Sequence, residues 1–200
     1  MNSKFITFEG GEGSGKTTQS KRLFQHLLSK GEKAIWTREI GGTDFAEKVR
    51  DLVVNNEILP KTELLMVMAA RSEHIEKIIK PALDEGKYVI CDRFVDSTAS
   101  YQGSFIEEIN TIFELHEALF NGFLPSQTFY MKIDPEVALK RAIARGDINK
   151  YEEKHVNFHK KIASNYALLS EMFKDRIVTI DASLSEDEIF ERVVHYCLSL

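Results

Sequence analysis

The chain has 200 residues, 43% of them hydrophobic and 28% charged, with a formal net charge of −5. That composition fits one ordinary globular domain with enough apolar residues for a core, and the negative balance argues against a broad nucleic-acid-binding face. No apolar stretch reaches the roughly 18 residues of a membrane span, and Met1-Asn2-Ser3-Lys4 leads straight into an apolar run without a secretory leader, so the expectation is a cytoplasmic protein with no membrane or nucleic-acid partner.

In chain order, Phe5–Phe8 reads as a buried strand and Thr18–Ser29 as a helix. Between them stands Gly10-Gly11-Glu12-Gly13-Ser14-Gly15-Lys16-Thr17, which fits the phosphate-binding pattern G-x-x-x-x-G-K-[ST] in its proper strand–loop–helix context. Its glycines let successive backbone N–H groups curl around phosphate oxygens, and the following helix N-terminus adds partial positive charge. Lys16 is placed to reach the β- and γ-phosphates of a nucleoside triphosphate, and the Thr17 hydroxyl to ligate Mg²⁺. Further strands are expected at Ala34–Thr37, Tyr88–Cys91, Thr128–Ile133 and Ile177–Ile180, with segments of helical length between them. Alternation of this kind implies an α/β fold with a five-stranded parallel sheet flanked by helices on both faces.

Gly31 and Gly86 stand where helix C-caps belong, and Pro81 should bend or restart the helix that begins near Thr62. Ile189, Val193, Val194, Cys197 and Leu198 form an apolar helix face. Cys91 and Cys197 lack metal-ligand spacing and read as buried thiols. The six histidines show no metal or triad arrangement, and His155 and His159 read as surface residues. The whole of residues 1–200 reads as one domain, with a polar mobile lid around residues 141–153.

Chemistry gathers at the end of the third strand. Val89-Ile90-Cys91-Asp92-Arg93 closes a buried run with an acid and a base, and ligands in open α/β sheets bind at the carboxyl ends of strands. Asp92 would lie near the Mg²⁺ and Arg93 would face a transferring phosphoryl group. Ser97-Thr98-Ala99-Ser100-Tyr101-Gln102-Gly103 follows, offering hydroxyls, a phenol and an amide able to read a base edge and a sugar. Ser97 could equally cap a helix. Arg50, Arg71, Arg141 and Arg145 are each ordinary surface arginines taken singly; together they supply the cations that phosphoryl transfer needs.

These pieces resemble the thymidylate kinase family of the bacterial type. The resemblance rests on Phe8–Thr18, Thr37-Arg38-Glu39-Ile40-Gly41-Gly42-Thr43, Ala69-Ala70-Arg71, Asp92-Arg93-Phe94 with Ser97 and Tyr101-Gln102-Gly103, and Arg141–Glu152. It implies the P-loop nucleoside monophosphate kinase fold, usually homodimeric, and Mg²⁺-dependent transfer of the ATP γ-phosphoryl to dTMP. It implies ATP and metal at the loop from Gly10 to Thr18, with Arg141 near adenine and Lys16 among the catalytic residues. Arg38, Arg50, Arg71 and Arg93 would surround the dTMP phosphate, with Ser97 nearby, Thr98 at the thymine edge, and Tyr101 and Gln102 by the deoxyribose. Glu12 marks the type whose catalytic arginine sits in the lid, here Arg145, with Lys150 as a second cation. Two residues depart from the family pattern: Ile40 replaces a proline, leaving the loop less rigid, and Val67 replaces a phenylalanine that stacks on thymine. Other acceptors (UMP, CMP, AMP) and a P-loop switch ATPase are the rival readings. A guanine-reading Asn-Lys-x-Asp has only Asn149-Lys150-Tyr151-Glu152 as its nearest match, in the lid.

Overall fold

The computed structural model describes residues 4–106, 109–144, 151 and 155–197. All five expected strands form: β1 (Phe5–Glu9), β2 (Ala34–Arg38), β3 (Tyr88–Asp92), β4 (Gln127–Lys132) and β5 (Ile177–Asp181). They pair in the order β2-β3-β1-β4-β5, every neighbour parallel. Strands β1, β2 and β3 each run one residue further than their apolar runs, because the ladder continues through Phe8 opposite Asp92 and Arg38 opposite Asp92. Charged side chains are thereby fixed at the carboxyl edge of the sheet.

Alternation along the strands sends side chains to two cores. Ile6, Phe8, Ile90, Phe129 and Met131 pack against Leu23 and Leu27 of α1 (Lys16–Ser29) and Ile189, Val193 and Cys197 of α9 (Glu186–Cys197). Phe5, Val89, Cys91 and Tyr130 face the other way. They meet α3 (Pro60–His74), α4 (Lys80–Asp84), α5 (Val95–Ile106), α6 (Ile109–Phe120) and α8 (Val156–Met172). Helix α2 (Asp44–Asn55) is capped by Thr43, whose hydroxyl accepts the Ala46 N–H, and it buries Ala46, Val49 and Val53 against Ala70 of α3. Helix α7 (Pro135–Ala144) follows β4.

Gly31 and Gly86 end their helices at φ 81° and 74°, as expected of caps. The helix is interrupted before Pro81 by a π-helical turn over Ile75–Ile79, and an α-helix begins again at Lys80–Asp84 with Pro81 in its first turn. Proline lacks an N–H and crowds the carbonyl four residues back, and a wider turn before it accommodates both.

The connections diverge at β1, which has β3 on one side and β4 on the other. A crevice opens at such a switch point, over the carboxyl end of the strand, and Gly10 begins the phosphate loop there. The loop also packs on α7. Gly13 has φ 77°, and a Cβ on it would overlap the Ala138 carbonyl. Gly13→Ala should therefore cost about 2 kcal/mol or more; a urea unfolding midpoint equal to wild type would contradict this close approach.

Candidate active site

The phosphate loop curls through positive φ at Gly10, Gly13 and Gly15. The N-terminus of α1 has Gly15 as its cap residue and no side-chain cap, so its first N–H groups point into the curl. Ser14 Oγ and Lys16 Nζ both donate to the Gly11 carbonyl, at 2.9 and 2.7 Å, and hold the loop closed on itself. Burial, and after it the Arg93 charge, lowers the Lys16 ammonium to a pKa of about 8.

Thr17 and Asp92 meet beside the loop. The Thr17 hydroxyl donates to Asp92 Oδ2, while Asp92 Oδ1 is buried with no hydrogen-bond partner among the described residues. A hydroxyl oxygen and an unfilled carboxylate oxygen suit Mg²⁺, which takes one or two carboxylates and completes its shell with phosphate oxygens and water. Among the described residues no three acidic, His or Cys side chains cluster to hold a metal by themselves, so an ion here would depend on phosphate.

Arg93 sits at φ 76°, in the left-handed region, immediately after β3. That turn aims its guanidinium back at the loop. Its Nη1 donates to the Gly10 carbonyl (3.1 Å) and Ser97 Oγ (3.0 Å); its Nη2 donates to Glu12 Oε1 (2.7 Å) and the Tyr101 hydroxyl (3.2 Å). Burial alone would push Glu12 up, but Arg93 and then Lys16 outweigh it, and its pKa falls to about 2. Glu12 stays ionised.

A second acid makes the Arg93 turn. Glu9, fully buried at the end of β1, accepts the Phe94 N–H with Oε1 at 2.7 Å, and the Ser97 and Tyr166 hydroxyls with Oε2. The last ladder bond, Arg93 N–H to the Phe8 carbonyl, ends the β1–β3 pairing. Glu9 then takes over as partner and caps α5 from another strand. Burial first, and Asp96 next, push the Glu9 carboxyl up to about 7.

Beside this turn opens a pocket. Glu12, Arg50, Val67, Arg71, Arg93, Ser97, Thr98, Tyr101 and Gln102 line it, so nine residues singled out from the sequence converge on one cavity. Glu39, Ile40, Phe94 and Tyr151 line it as well. Arg50 donates to the Ile40 carbonyl, and burial followed by repulsion from Arg38 and Arg93 lowers its pKa. Ser14, Gly15, Thr18 and Arg141 border a separate groove with Ala182 and Leu184, where Arg141 donates to the Ala182 carbonyl.

Several expectations change. Arg38 does not line the pocket; it is 42% exposed and bonded to Glu47 at 2.8 Å. Arg71 is no surface arginine, at 1% exposed. Ser97 is not a cap residue but lies within the first turn of α5, because Glu9 has taken the capping role. His159, read as a surface residue, is buried; His155 is exposed. Arg145 and Lys150 lie outside the described residues. Glu9, Glu39, Glu63, His74, Tyr151 and Tyr166 had no assigned part. Glu9 and Glu39 carried the same signal as Asp92, an acid at the carboxyl end of a buried strand. Tyr151 and Gln102 share the Glu63 carboxylate, at 2.8 and 2.7 Å.

Comparison with known proteins agrees with this geometry. The family model described as thymidylate kinase matches residues 8–193. A thymidylate kinase of Orientia tsutsugamushi (strain Ikeda) is 48% identical over 198 residues, covering 96% of this chain and 91% of the relative. One from Rickettsia africae (strain ESF-5) is 48% identical over 192 residues, and one from Rickettsia typhi (strain ATCC VR-144 / Wilmington) is 47% identical over 192, each covering 95% of both chains. With a loop for one nucleotide's phosphates, an arginine-lined pocket beside it and this degree of likeness along almost its whole length, the chain belongs to the thymidylate kinase family.

Proposed function

We propose that the chain transfers the γ-phosphoryl group of ATP to dTMP, giving dTDP and ADP. The observation that carries this reading is the pair of separate cavities bordering one phosphate loop, one lined by Ser14, Gly15 and Thr18, the other by Glu12 and Arg93. A triphosphate in the first groove would reach toward a monophosphate in the second. A dTMP phosphate oxygen attacks the γ-phosphorus, the bond from that phosphorus to the β–γ bridging oxygen breaks, and ADP leaves with that oxygen.

ATP phosphates would be held by the backbone of the loop from Gly10 to Thr18 and by Lys16, with Arg141 toward adenine. Mg²⁺ bound at Thr17 and Asp92 would offset charge on the β- and γ-phosphate oxygens. Arg50 and Arg93 would share the acceptor phosphate and the moving group, with Arg38 adding its charge behind Arg50 and Arg71 meeting the same nucleotide beside Thr98. Pre-aimed guanidiniums of this kind stabilise developing charge without reorganising at the moment of reaction. Arg145 is the proposed lid cation, since the loop itself carries an acid, Glu12, and no arginine.

The Thr98 hydroxyl accepts from Arg71 at 2.8 Å and keeps its own proton for a thymine carbonyl. Val67 lines the pocket one turn before Arg71, and Phe94 lines it too, its ring lying 4.9 Å from the Arg71 guanidinium. Tyr101, tied to Glu12 at 3.0 Å and to Arg93, would sit against the sugar and leave little room for a 2′-hydroxyl. A homodimer in the cytoplasm is the proposed working form, supported by the exposed Leu52, Leu59 and Leu65 of the α2–α3 region. Among the described residues no helix is long and apolar enough to cross a membrane.

The deciding experiment measures ADP release with ATP, Mg²⁺ and, in turn, dTMP, dUMP, UMP, CMP, AMP and GMP. The highest kcat/KM is expected with dTMP; a preference for another acceptor overturns the assignment. A second prediction concerns pH. Lys16 is charged below its pKa of about 8 and neutral above it. Since kcat/KM for ATP reports the free enzyme, it should be level below that pH and fall about tenfold per pH unit above it. A profile flat to about pH 10 would show that Lys16 keeps its charge or does not contribute.

A further inference from the structure

Arg71 is held by a buried chain of side chains that does not itself need to touch a substrate. Its Nε donates to Glu39 Oε2 at 2.8 Å, its Nη2 lies 2.7 Å from the same oxygen as an ion pair, and Nη2 donates to Thr98 Oγ1. Among the described residues its Nη1 meets only the Met68 sulfur, at 3.8 Å. The other Glu39 oxygen, Oε1, faces His74 Nδ1 at 3.0 Å, and His74 Nε2 lies 2.6 Å from Thr37 Oγ1. Arg71, Glu39, His74 and Thr37 are 1%, 5%, 0% and 6% exposed.

Burial opposes ionisation of Glu39, but Arg71 and the hydrogen bond from His74 outweigh it and hold its pKa below the ordinary value. An ionised carboxylate only accepts, so the proton between it and His74 lies on Nδ1. With Nδ1 donating to Glu39, Nε2 is the ring atom left to pair with the Thr37 hydroxyl. Gly42 leaves the space for this: a Cβ there would come within 2.5 Å of His74 Nε2 and 2.7 Å of Thr37 Oγ1.

We propose that Glu39 and His74 are positioning residues that orient Arg71 beside Thr98 in the acceptor-nucleotide pocket, His74 acting through an Nδ1–H donated to Glu39. Glu39, just after β2, and His74, three residues after Arg71 on α3, tie the strand to the helix, so the guanidinium is fixed from behind where it lines the pocket. The inference rests on the second cavity being the monophosphate site.

Steady-state kinetics of four variants tests it. Wild type is first assayed with dTMP and the five other monophosphates, and the variants are assayed with the acceptor it prefers. An acceptor other than dTMP would overturn the substrate assignment while leaving Arg71 and its support open to the same measurement. His74→Asn, which can place an amide N–H near the former Nδ1, should keep the acceptor KM within about threefold of wild type. His74→Gln, His74→Leu and Glu39→Gln should raise it at least about tenfold, with KM for ATP unchanged. In a double-mutant cycle, Arg71→Ala combined with His74→Leu should be no worse than Arg71→Ala alone, because His74 acts through Arg71. A wild-type acceptor KM in His74→Leu, an equal rise in both Michaelis constants, or additive losses in the cycle would overturn the proposal.

Discussion

The Glu9 carboxylate is the contact on which the site depends. A buried carboxylate is tolerated only when donors surround it, and Glu9 has the Phe94 N–H and the Ser97 and Tyr166 hydroxyls. These donors come from the turn after β3, from α5 and from α8, so one side chain joins three parts of the pocket to the strand that feeds the phosphate loop. The left-handed backbone at Arg93 is disfavoured for a long side chain. It persists because the residue before it ends a ladder and the residue after it is capped. Without that turn Arg93 would continue along the strand and away from Glu12 and Gly10.

The same device recurs around the pocket. Arg93 is paired with Glu12, Arg71 with Glu39 and Arg38 with Glu47, at 2.7, 2.7 and 2.8 Å. A chain of net charge −5 can therefore carry a cationic pocket without relying on a basic surface. The acids reduce the raw pull on an anion, and in exchange they fix where each guanidinium points. That suits a reaction in which the protein contributes mainly positioning and preset electrostatics.

Much of this was legible in the chain. The five apolar runs, Gly31, Gly86 and the glycine-rich loop each have a local cause, so their structures follow from neighbours in sequence. Arg50, Arg71, Arg93 and the Ser97–Gln102 segment were legible as candidates because phosphoryl transfer needs cations and a base reader, whereas Val67 stood out only through the family resemblance. What supports them was not. Glu9 reaches Phe94 across 85 residues and Glu63 reaches Tyr151 across 88, and no local pattern encodes such partners. Ser97 looked like a cap because helix starts favour serine, but a carboxylate from β1 reached the helix end first. Arg38 looked like a pocket residue, and the nearer Glu47 on α2 holds it outside.

The central claim is that Glu9 builds the Arg93 turn by capping Phe94. Turnover at saturating ATP and dTMP, measured for Glu9→Gln and Glu9→Leu with folding verified by near-ultraviolet circular dichroism, tests it most directly. Glutamine keeps a carbonyl oxygen for the Phe94 N–H and should retain kcat within about tenfold, whereas leucine leaves that N–H unpaired and should lose about 100-fold or more. A folded Glu9→Leu protein with wild-type turnover would contradict the account.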